Sequence, residues 1–598
     1  MSTPHPEWSY RPRAAAAAAP AAAAAAPAPV AAAAAAAAAP PPAKPSAPAT
    51  PPAALAPPPR PRPLVLEPFR PLGQSLEWRV GSTYWARRGA RAFTSNEVPH
   101  FVTNDGVRAA RAAEVLFATC EAAERAGTLA AEVRVLEVGI GLGLHAKLFL
   151  DHFRALCIDA QRDYYGRLVY LATDYSAKMV TDARSRGVLD EHEGRVRFAR
   201  LDVLQPERLL DDEGRPAGEV SGLYAVFANY VLDTLPMTQL VRSESRWLEL
   251  MVESRIDDVA QLEARGVRVE ELQAEIRGDG GHDKLQSVFD LVRVTRAYCS
   301  TEIAAQPFAA HLVGYAERLG DGALAINHAH GAVKALLALL GVLRSDGFVL
   351  VNDYACAPPD WAIDAQRHQR YAGSRSAGLD FALLAHAVAG ERPDATVVVP
   401  DGDEEAPLRA RLLTVNRNPA AEAAFRERYA KATLGRIDAL AVEARAARGR
   451  GDAAAAVERY REALALCPVN WLLYTELSSV ATYDLRDRRL GIELAQKAAK
   501  LNGGSSPIVW NQLGDAFYEA GMAHEALSAY RCALRCDADD ARAHLGVAWC
   551  AADAQRFDEA IAELAQGLVA DRGRQYRAIL LDKLQHTLAA RDAATAAR

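Results

Sequence analysis

Two kinds of segment alternate through the middle of the chain. Short apolar runs cover residues 133–138, 168–174, 195–202, 223–229 and 347–354, with a further run at 395–401. Longer stretches between them carry apolar residues at helical spacing, which is typical of helices with one buried face. Strands that are buried on both faces read as continuous apolar runs. The alternation therefore predicts an α/β fold built on a parallel, doubly wound sheet.

One stretch interrupts this pattern. Residues 242–330 are rich in charge and longer than a simple crossover between two strands. Within them, VRVEELQAEI (residues 267–276) has the spacing of an amphipathic helix. We therefore expect a helical insertion in the sheet domain.

The pattern changes after about residue 430, where a repeat begins. Ala456, Gly491, Ala526 and Ala560 follow each other at intervals of 35, 35 and 34 residues, and the strongest unit adds Trp510, Leu513, Gly514 and Phe517. This period resembles the tetratricopeptide repeat, in which small residues let paired helices approach each other. Stacked units form a concave groove, which predicts a protein partner there. An ordinary helical bundle is the alternative.

Composition divides the chain further. Residues 1–63 are dominated by alanine and proline, too poor in large apolar residues for a membrane span, and are expected to be a disordered tail. We expect the sheet domain over residues 64–430 and the repeat domain over residues 431–598. A net charge of -6 does not favour a nucleic-acid surface. The eight scattered cysteines include no CxxC pair, which favours free thiols in the cytoplasm over a metal site.

The stretch VRVLEVGIGLGLHAKLFL places a glycine-rich turn directly after the first apolar run of the sheet. Gly139, Gly141 and Gly143 permit a tight turn that a ligand can approach closely. Leu144 occupies the position where a dinucleotide fold has its last glycine, and the Lys-Ser/Thr of a P-loop is missing. With Glu137 before the glycines, the pattern favours S-adenosyl-L-methionine (SAM), whose amino group the acid would face. An incidental turn is the alternative.

Acids also follow the next two predicted strands. Asp174 is placed to accept hydrogen bonds from the ribose hydroxyls, and Asp202 from the adenine amino group. Each has a structural alternative: Asp174 competes with Ser176 to cap the next helix, and Asp202 can be a plain surface acid. Glu137, Asp174 and Asp202 together would line the carboxyl edge of the sheet.

The fourth predicted strand leads into ANYVLDTLP, which contains Asn229 and Asp233, and Trp247 and Glu249 follow. This combination resembles the MidA-type family of SAM-dependent methyltransferases. The segments ARRGARAFTSNEVPHF, GFVLVNDYA and GLDF resemble other parts of that family. The resemblance covers about residues 84–416 and excludes the repeats. It implies a Rossmann-like methyltransferase domain with SAM as its cofactor.

The resemblance also implies methyl transfer to a protein side chain, with arginine as the known acceptor type. Two positions depart from the family pattern. Tyr230 stands where the family has an acid, which puts a guanidinium acceptor in doubt because carboxylates hold that group best. Ala355 replaces the glycine after Asp353-Tyr354. Asp233 and Asp353 still supply carboxylates near the site.

These observations favour an active methyltransferase whose repeats recruit a protein. Asn229 is expected to orient the acceptor, and Asp233 to hold or deprotonate it. A polar turn that caps the following helix is the alternative for both residues. The alternative for the chain is a repeat scaffold with an idle methyltransferase-like domain. Leu144 disfavours a nicotinamide oxidoreductase, and a small-molecule methyltransferase stays open.

Overall fold

The computed structural model describes residues 63–94, 98, 104–244, 246–278, 283–361, 369–371, 374–402 and 407–596. The predicted disordered tail lies outside these residues except for Pro63. Part of the family-like segment near the amino-terminal end, at residues 95–97 and 99–101, lies outside them as well.

The strands lie in the first three quarters of the chain. They are β1 (Leu64–Pro71), β2 (Val133–Val138), β3 (Leu168–Asp174), β4 (Val196–Leu201), β5 (Arg208–Leu210), β6 (Pro216–Glu219), β7 (Leu223–Asn229), β8 (Thr238–Ser243), β9 (Arg246–Ile256), β10 (Val292–Ser300), β11 (Leu324–His328), β12 (Leu343–Tyr354), β13 (Gln369–Tyr371), β14 (Ser374–Ser376), β15 (Ala395–Val398) and β16 (Leu408–Val415).

The helices alternate with these strands and then continue alone. They are α1 (Leu76–Arg88), α2 (Arg91–Thr94), α3 (Val107–Arg125), α4 (Leu144–Asp159), α5 (Ala177–Ser185), α6 (Val259–Ala264), α7 (Val269–Arg277), α8 (Asp283–Ser287), α9 (Ala309–Arg318), α10 (His330–Gly341), α11 (Phe381–Glu391), α12 (Pro419–Tyr429), α13 (Lys431–Gly449), α14 (Ala453–Leu466), α15 (Trp471–Ser479), α16 (Arg488–Asn502), α17 (Pro507–Glu519), α18 (Ala523–Cys536), α19 (Ala541–Asp553), α20 (Phe557–Ala570) and α21 (Arg577–Ala596).

The central sheet has the strand order β15-β16-β12-β7-β2-β3-β4-β5-β6. Strands β12, β7, β2, β3 and β4 are parallel neighbours, and β16 runs antiparallel to β12. From β2 the chain adds β3 and β4 on one side and then returns to place β7 on the other. In open sheets of this kind, ligands bind beyond the carboxyl ends of the strands where the order reverses. The α/β prediction is confirmed. The strand order reverses between β2 and β7, so the expected ligand site lies beyond the carboxyl ends of these two strands.

The insertion at residues 242–330 differs from the helical one that we expected. Strands β1, β9, β8 and β11 form a second sheet, in which β10 also pairs with β9. Helices α6, α7 and α8 lie between β9 and β10 in the chain. Along β9, Leu250, Val252, Ser254 and Ile256 are buried in alternation with more exposed residues. That period of two is a strand signal, which the high charge of the segment obscured.

The repeats form antiparallel helix pairs from α13 onward. The second helices of the pairs begin at Ala453, Arg488, Ala523 and Phe557, intervals of 35, 35 and 34 residues that match the predicted period. Gly514 and Gly546 face the ring of Tyr530, where a Cβ atom would come within 2.6 and 2.5 Å of ring carbons. The tetratricopeptide-type fold is confirmed, and its small residues are explained by this close packing.

The repeats and the sheet domain share one hydrophobic core. A single cluster of buried residues runs from α3, β2 and α4 into the helices of the first repeats and ends at Val509. At the junction, the indole nitrogen of Trp471 donates to the carbonyl oxygen of Asn104 at 2.6 Å. Arg186 donates to the carbonyl oxygen of Ser505 at 2.7 Å. Residues 61–598 form one compact unit, so the predicted boundary near residue 430 stays a prediction.

The described helices also bear on membrane association. None of them combines the length and the apolar character that crossing a bilayer requires.

Candidate functional site

The glycine-rich turn connects β2 to α4 at the reversal point of the sheet. Gly139, Gly141 and Gly143 have φ angles of 76°, 52° and 75°, a region that side chains other than glycine seldom adopt. Gly143 precedes the first residue of α4, and no side chain caps this helix. The structure thus shows no side-chain cap on the first amides of α4, and amides at such a position can bind an anionic or polar group.

Two side chains approach this turn from other parts of the chain. A Cβ atom on Gly139 would lie 2.7 Å from a methyl carbon of Val231, which follows β7. A Cβ atom on Gly141 would lie 3.5 Å from the ring of Phe93 at the end of α2. Phe93 in turn stacks on Trp85, with ring centroids 5.2 Å apart. The turn is thus covered by the β7 loop at one glycine and by an aromatic pair at another.

Glu137 lies beneath the turn rather than in the open crevice. Its side chain is 2% exposed. One carboxylate oxygen accepts a hydrogen bond from the Tyr170 hydroxyl at 3.0 Å, and the other lies 3.2 Å from Nδ1 of buried His145. The first oxygen thus has a hydrogen-bond partner on β3, whereas the second lies near α4 without a hydrogen bond, because both ring nitrogens of His145 have no partner among the described residues. Its expected contact with the methionine portion of SAM stays a prediction.

Asp174 ends β3 at the same edge. Its Oδ1 accepts from the backbone amide of Ser176 at 2.9 Å, and the Gly141 amide also donates to this carboxylate. Ser176, not Asp174, caps α5 through its hydroxyl oxygen. Burial raises the pKa of Asp174 to about 6, against the lowering effect of these amides. The carboxylate thus lies against the glycine turn and is not committed to the helix.

We expect the affinity for S-adenosylhomocysteine to fall as the pH drops below about 6. Only the ionised carboxylate of Asp174 accepts two ribose hydroxyls, and its pKa of about 6 means that protonation begins near that pH. Each further pH unit should then lower the affinity by up to about tenfold. Calorimetry between about pH 5 and pH 8 measures this slope. In Asp174→Asn the binding should be weak and flat with pH, and an unchanged slope in that variant would assign the titration to another group.

Asp202 follows β4 in a local turn. It is half-buried, and its Oδ1 accepts from the backbone amide of Leu204 at 2.9 Å. The second carboxylate oxygen is not needed for this turn. A role toward an adenine amino group and a plain structural role both stay open.

Asn229 ends β7, beside β2. Its side-chain oxygen accepts from Nδ2 of Asn352 at 2.8 Å. Its own Nδ2 is buried and has no hydrogen-bond partner among the described residues. The short 3-10 helix Leu232–Thr234 that follows has no side-chain cap. The structure therefore disfavours the capping alternative for Asn229 and leaves a buried donor there.

Asp233, in the loop after β7, and Asp353, on β12, form a buried carboxyl pair. Asp353 accepts from the backbone amides of Leu232 at 2.9 Å and Asp233 at 3.3 Å with one oxygen, and from Tyr354 at 2.9 Å with the other. Asp233 is 5% exposed, and its Oδ1 has no hydrogen-bond partner among the described residues. Burial and the charge of Asp353 raise the pKa of Asp233 far above its ordinary value. Burial raises the pKa of Asp353 to about 7.

Tyr230 occupies the position where the resembled family has an acid. Its backbone has a φ of 55°, and its amide donates to the carbonyl oxygen of Asn352 at 3.0 Å. The ring stacks on Tyr354 with centroids 5.1 Å apart. An aromatic pair thus replaces a carboxylate at this point of the edge.

Sequence reasoning missed three contributors to the site: Arg108, Asn352 and Phe93. Arg108 donates to the side-chain oxygen of Asn352 at 2.8 Å, and Asn352 is fully buried. A signal for Asn352 existed, because VLVNDY places two polar residues inside an otherwise apolar strand. Phe93 lies in the family-like segment ARRGARAFTSNEVPHF, which was a signal for it, whereas Arg108 had none, since its role depends on a residue far away in the chain.

Parts of the chain are similar to known proteins. Residues 113–369 match a family model described as "Putative S-adenosyl-L-methionine-dependent methyltransferase". A solved structure from Burkholderia thailandensis, described as a "likely methyl transferase" bound to S-adenosyl-homocysteine, is 16% identical, with a TM-score of 0.38 over 60% of this chain and 90% of that chain. The MamA protein is 20% identical, with a TM-score of 0.22 over 27% and 86%. YrrB, described as a tetratricopeptide-repeat protein with an unusual peptide-binding site, is 20% identical, with a TM-score of 0.20 over 25% and 74%. No curated protein matches the chain.

Proposed function

Because residues 113–369 match a family model of SAM-dependent methyltransferases, we propose that this enzyme methylates a side chain of a protein and that its repeats hold that protein. The observation that carries the proposal is the meeting of the glycine turn, Asp174 and the Asn229 loop at one edge of the sheet. Val231 contacts the turn from the Asn229 loop, and the Gly141 amide donates to Asp174.

The residues at this edge fit SAM. Among the described residues, a Cβ atom on Gly141 would meet Phe93 at ordinary contact distance, which leaves room for a ligand beside the backbone. Asp174 would hold the ribose and Asp202 the adenine, and the uncapped amides of α4 would face polar groups. When bound, SAM supplies an electrophilic methyl group, so the difficult chemistry is the cofactor's.

The protein has to orient the acceptor and exclude water. Alignment of two reacting groups can lower a barrier by about 7–11 kcal/mol in ideal cases. Asn229, with a buried donor at the end of β7, is the residue that we propose for orientation. Val231, Phe93 and Trp85 cover the glycine turn and would keep water from it.

A protein substrate is supported by where the repeats pack. Gly503 lies between the side chains of Val188 and Lys147, and Gly143 of the glycine turn lies against Leu189 and Val188. One short loop therefore contacts both the repeats and the turn. A polypeptide held by the repeats would be close to the site, whereas a free small molecule has no need of them. Arginine is the acceptor type that the family resemblance implies.

We propose the cytoplasm as the location. All eight cysteines carry free thiols, as in a reducing compartment. The net charge of -6 supports a protein partner over nucleic acid.

Transfer of a labelled methyl group from SAM into the proteins of a cell lysate tests this proposal. We expect label in protein with the wild-type enzyme and at least a tenfold loss in Asn229→Ala, because the orienting amide is gone. Gln261→Ala, an exposed amide on α6, is the matched control and should keep full activity. Label that appears only in the acid-soluble fraction would point to a small-molecule acceptor. No label above the Asn229→Ala level would favour an idle domain on a repeat scaffold.

A further inference from the structure

Three polar side chains form a relay that ends at the site. Nη1 of Arg108 donates to Oδ1 of Asn352 at 2.8 Å. Nδ2 of Asn352 then donates to Oδ1 of Asn229, also at 2.8 Å. A guanidinium group has donors and no acceptor, so it can only face the oxygen end of the Asn352 amide. That fixes the orientation of the next amide as well, and Asn229 must present its NH2 group.

Asp233 adds a second donor on the same loop. Its Oδ1 is buried without a hydrogen-bond partner among the described residues. Burial and the nearby Asp353 raise the pKa of Asp233 far above its ordinary value, which favours the protonated form. A protonated carboxyl group donates one hydrogen bond. Asn229 and Asp233 thus offer two donors on one loop among the described residues.

Asp353 and Asp174, two carboxylates of this edge, already accept hydrogen bonds within the protein. Both oxygens of Asp353 accept from backbone amides of residues 232, 233 and 354. Asp174 accepts from the amides of Ser176 and Gly141. Tyr230 stands in place of an acid and stacks on Tyr354. A guanidinium acceptor is held best by free carboxylates, and the position where the resembled family has an acid carries Tyr230 here.

We propose that the acceptor is a side-chain carboxylate, that Asn229 and Asp233 donate to it, and that Arg108 and Asn352 are positioning residues for Asn229. This inference rests on the proposed function. In the transfer, a carboxylate oxygen bonds to the methyl carbon while the carbon–sulfur bond breaks and its electron pair stays on sulfur. The carboxylate becomes a neutral methyl ester, and no proton has to leave. A site that offers donors suits that step, because the acceptor has no proton to give up.

The chemistry of the labelled product tests the acceptor. Methyl esters hydrolyse in mild alkali and release methanol, whereas methyl groups on nitrogen stay with the protein. We expect most of the label introduced by the wild-type enzyme to become volatile after alkali. Alkali-stable label, recovered as methylarginine, would overturn the inference and leave the proposed function standing. The absence of any label in protein would overturn the proposed function itself.

The variant Asn229→Asp distinguishes the two acceptors, because they predict opposite changes in the rate of methyl transfer. It keeps the shape of the side chain and replaces the NH2 donor by an acceptor. For a carboxylate acceptor we expect at least a hundredfold loss of transfer, and for a guanidinium acceptor an increase. Binding of S-adenosylhomocysteine, measured by calorimetry, should change less than threefold. A large loss of that binding would instead place the donors against the methionine carboxylate of the cofactor and overturn the assignment.

Two further variants separate positioning from folding. Arg108→Met removes the donor of the relay and should raise KM for the protein substrate and lower kcat, with the affinity for S-adenosylhomocysteine kept. Arg108→Lys keeps a donor and should restore part of the activity. If the two variants lose equal activity while their thermal unfolding stays that of the wild type, Arg108 does not act through its hydrogen bond, and its positioning role is wrong.

Discussion

Replacing Gly141 by aspartate is expected to abolish the binding of S-adenosylhomocysteine, with a loss of affinity of at least a hundredfold. The new carboxylate would extend from the turn at the point where the backbone must be open. It would also come close to Asp174, to which the Gly141 amide donates, so two like charges would share the cleft. The φ of 52° adds backbone strain for any residue with a side chain.

Calorimetry with S-adenosylhomocysteine measures this loss directly. Gly194→Asp is the matched control, because Gly194 has a φ of 80° and open space around its Cβ position. It carries the same strain and the same added charge at the start of β4, the opposite end of that strand from Asp202. We expect its binding to equal that of the wild type. Tight binding by Gly141→Asp would mean that the ligand does not pass along this turn.

Trp471→Ala is expected to destabilise the sheet domain together with the repeats. The Trp471 ring is fully buried in the shared core, and its indole nitrogen donates to Asn104 just before α3. Removal of a buried tryptophan typically costs about 3–5 kcal/mol of the free energy of unfolding. Because the core is continuous from α3 to Val509, both parts should lose stability in one transition.

Chemical denaturation tests this with two signals, far-UV circular dichroism for the helices and ligand binding for the site. The two curves should coincide in the wild type and shift together in Trp471→Ala. Trp361→Ala, at a side chain that is 60% exposed, should leave both curves unchanged. Repeats that unfold first while binding persists would show that the shared core does not couple the two parts.

The sequence was sufficient for much of the fold because some of its signals are local. The runs at residues 133–138, 168–174 and 223–229 coincide with strands to the residue, since each is a continuous apolar run ended by a glycine or a polar residue. The repeat period fixed the helix pairs for a similar reason. The insertion was predicted only in part. The helical spacing at residues 267–276 corresponds to α7, whereas charged residues that alternate with buried ones obscured the strand β9.

The site was predictable in its backbone and less so in its side-chain partners. The three glycines predicted the turn, and all three have positive φ angles. No local pattern shows that Glu137 contacts Tyr170, which lies 33 positions away, or that Arg108 reaches Asn352 across 244 positions. Such pairs depend on the packing of distant elements. The direction in which the Asn229 amide faces is set entirely by one of them.

The common hydrophobic interior also bears on how a chain like this can be re-engineered. Tetratricopeptide arrays are often treated as modules that can be exchanged between proteins, since each unit contacts mainly its neighbours. Here the first repeats share their hydrophobic core with the sheet domain. A transplanted array would therefore have to reproduce the buried surface around Trp471 before it could add a new binding specificity. Units beyond Val509 lie past that interior and are the place where recognition can be rewritten at little cost to folding.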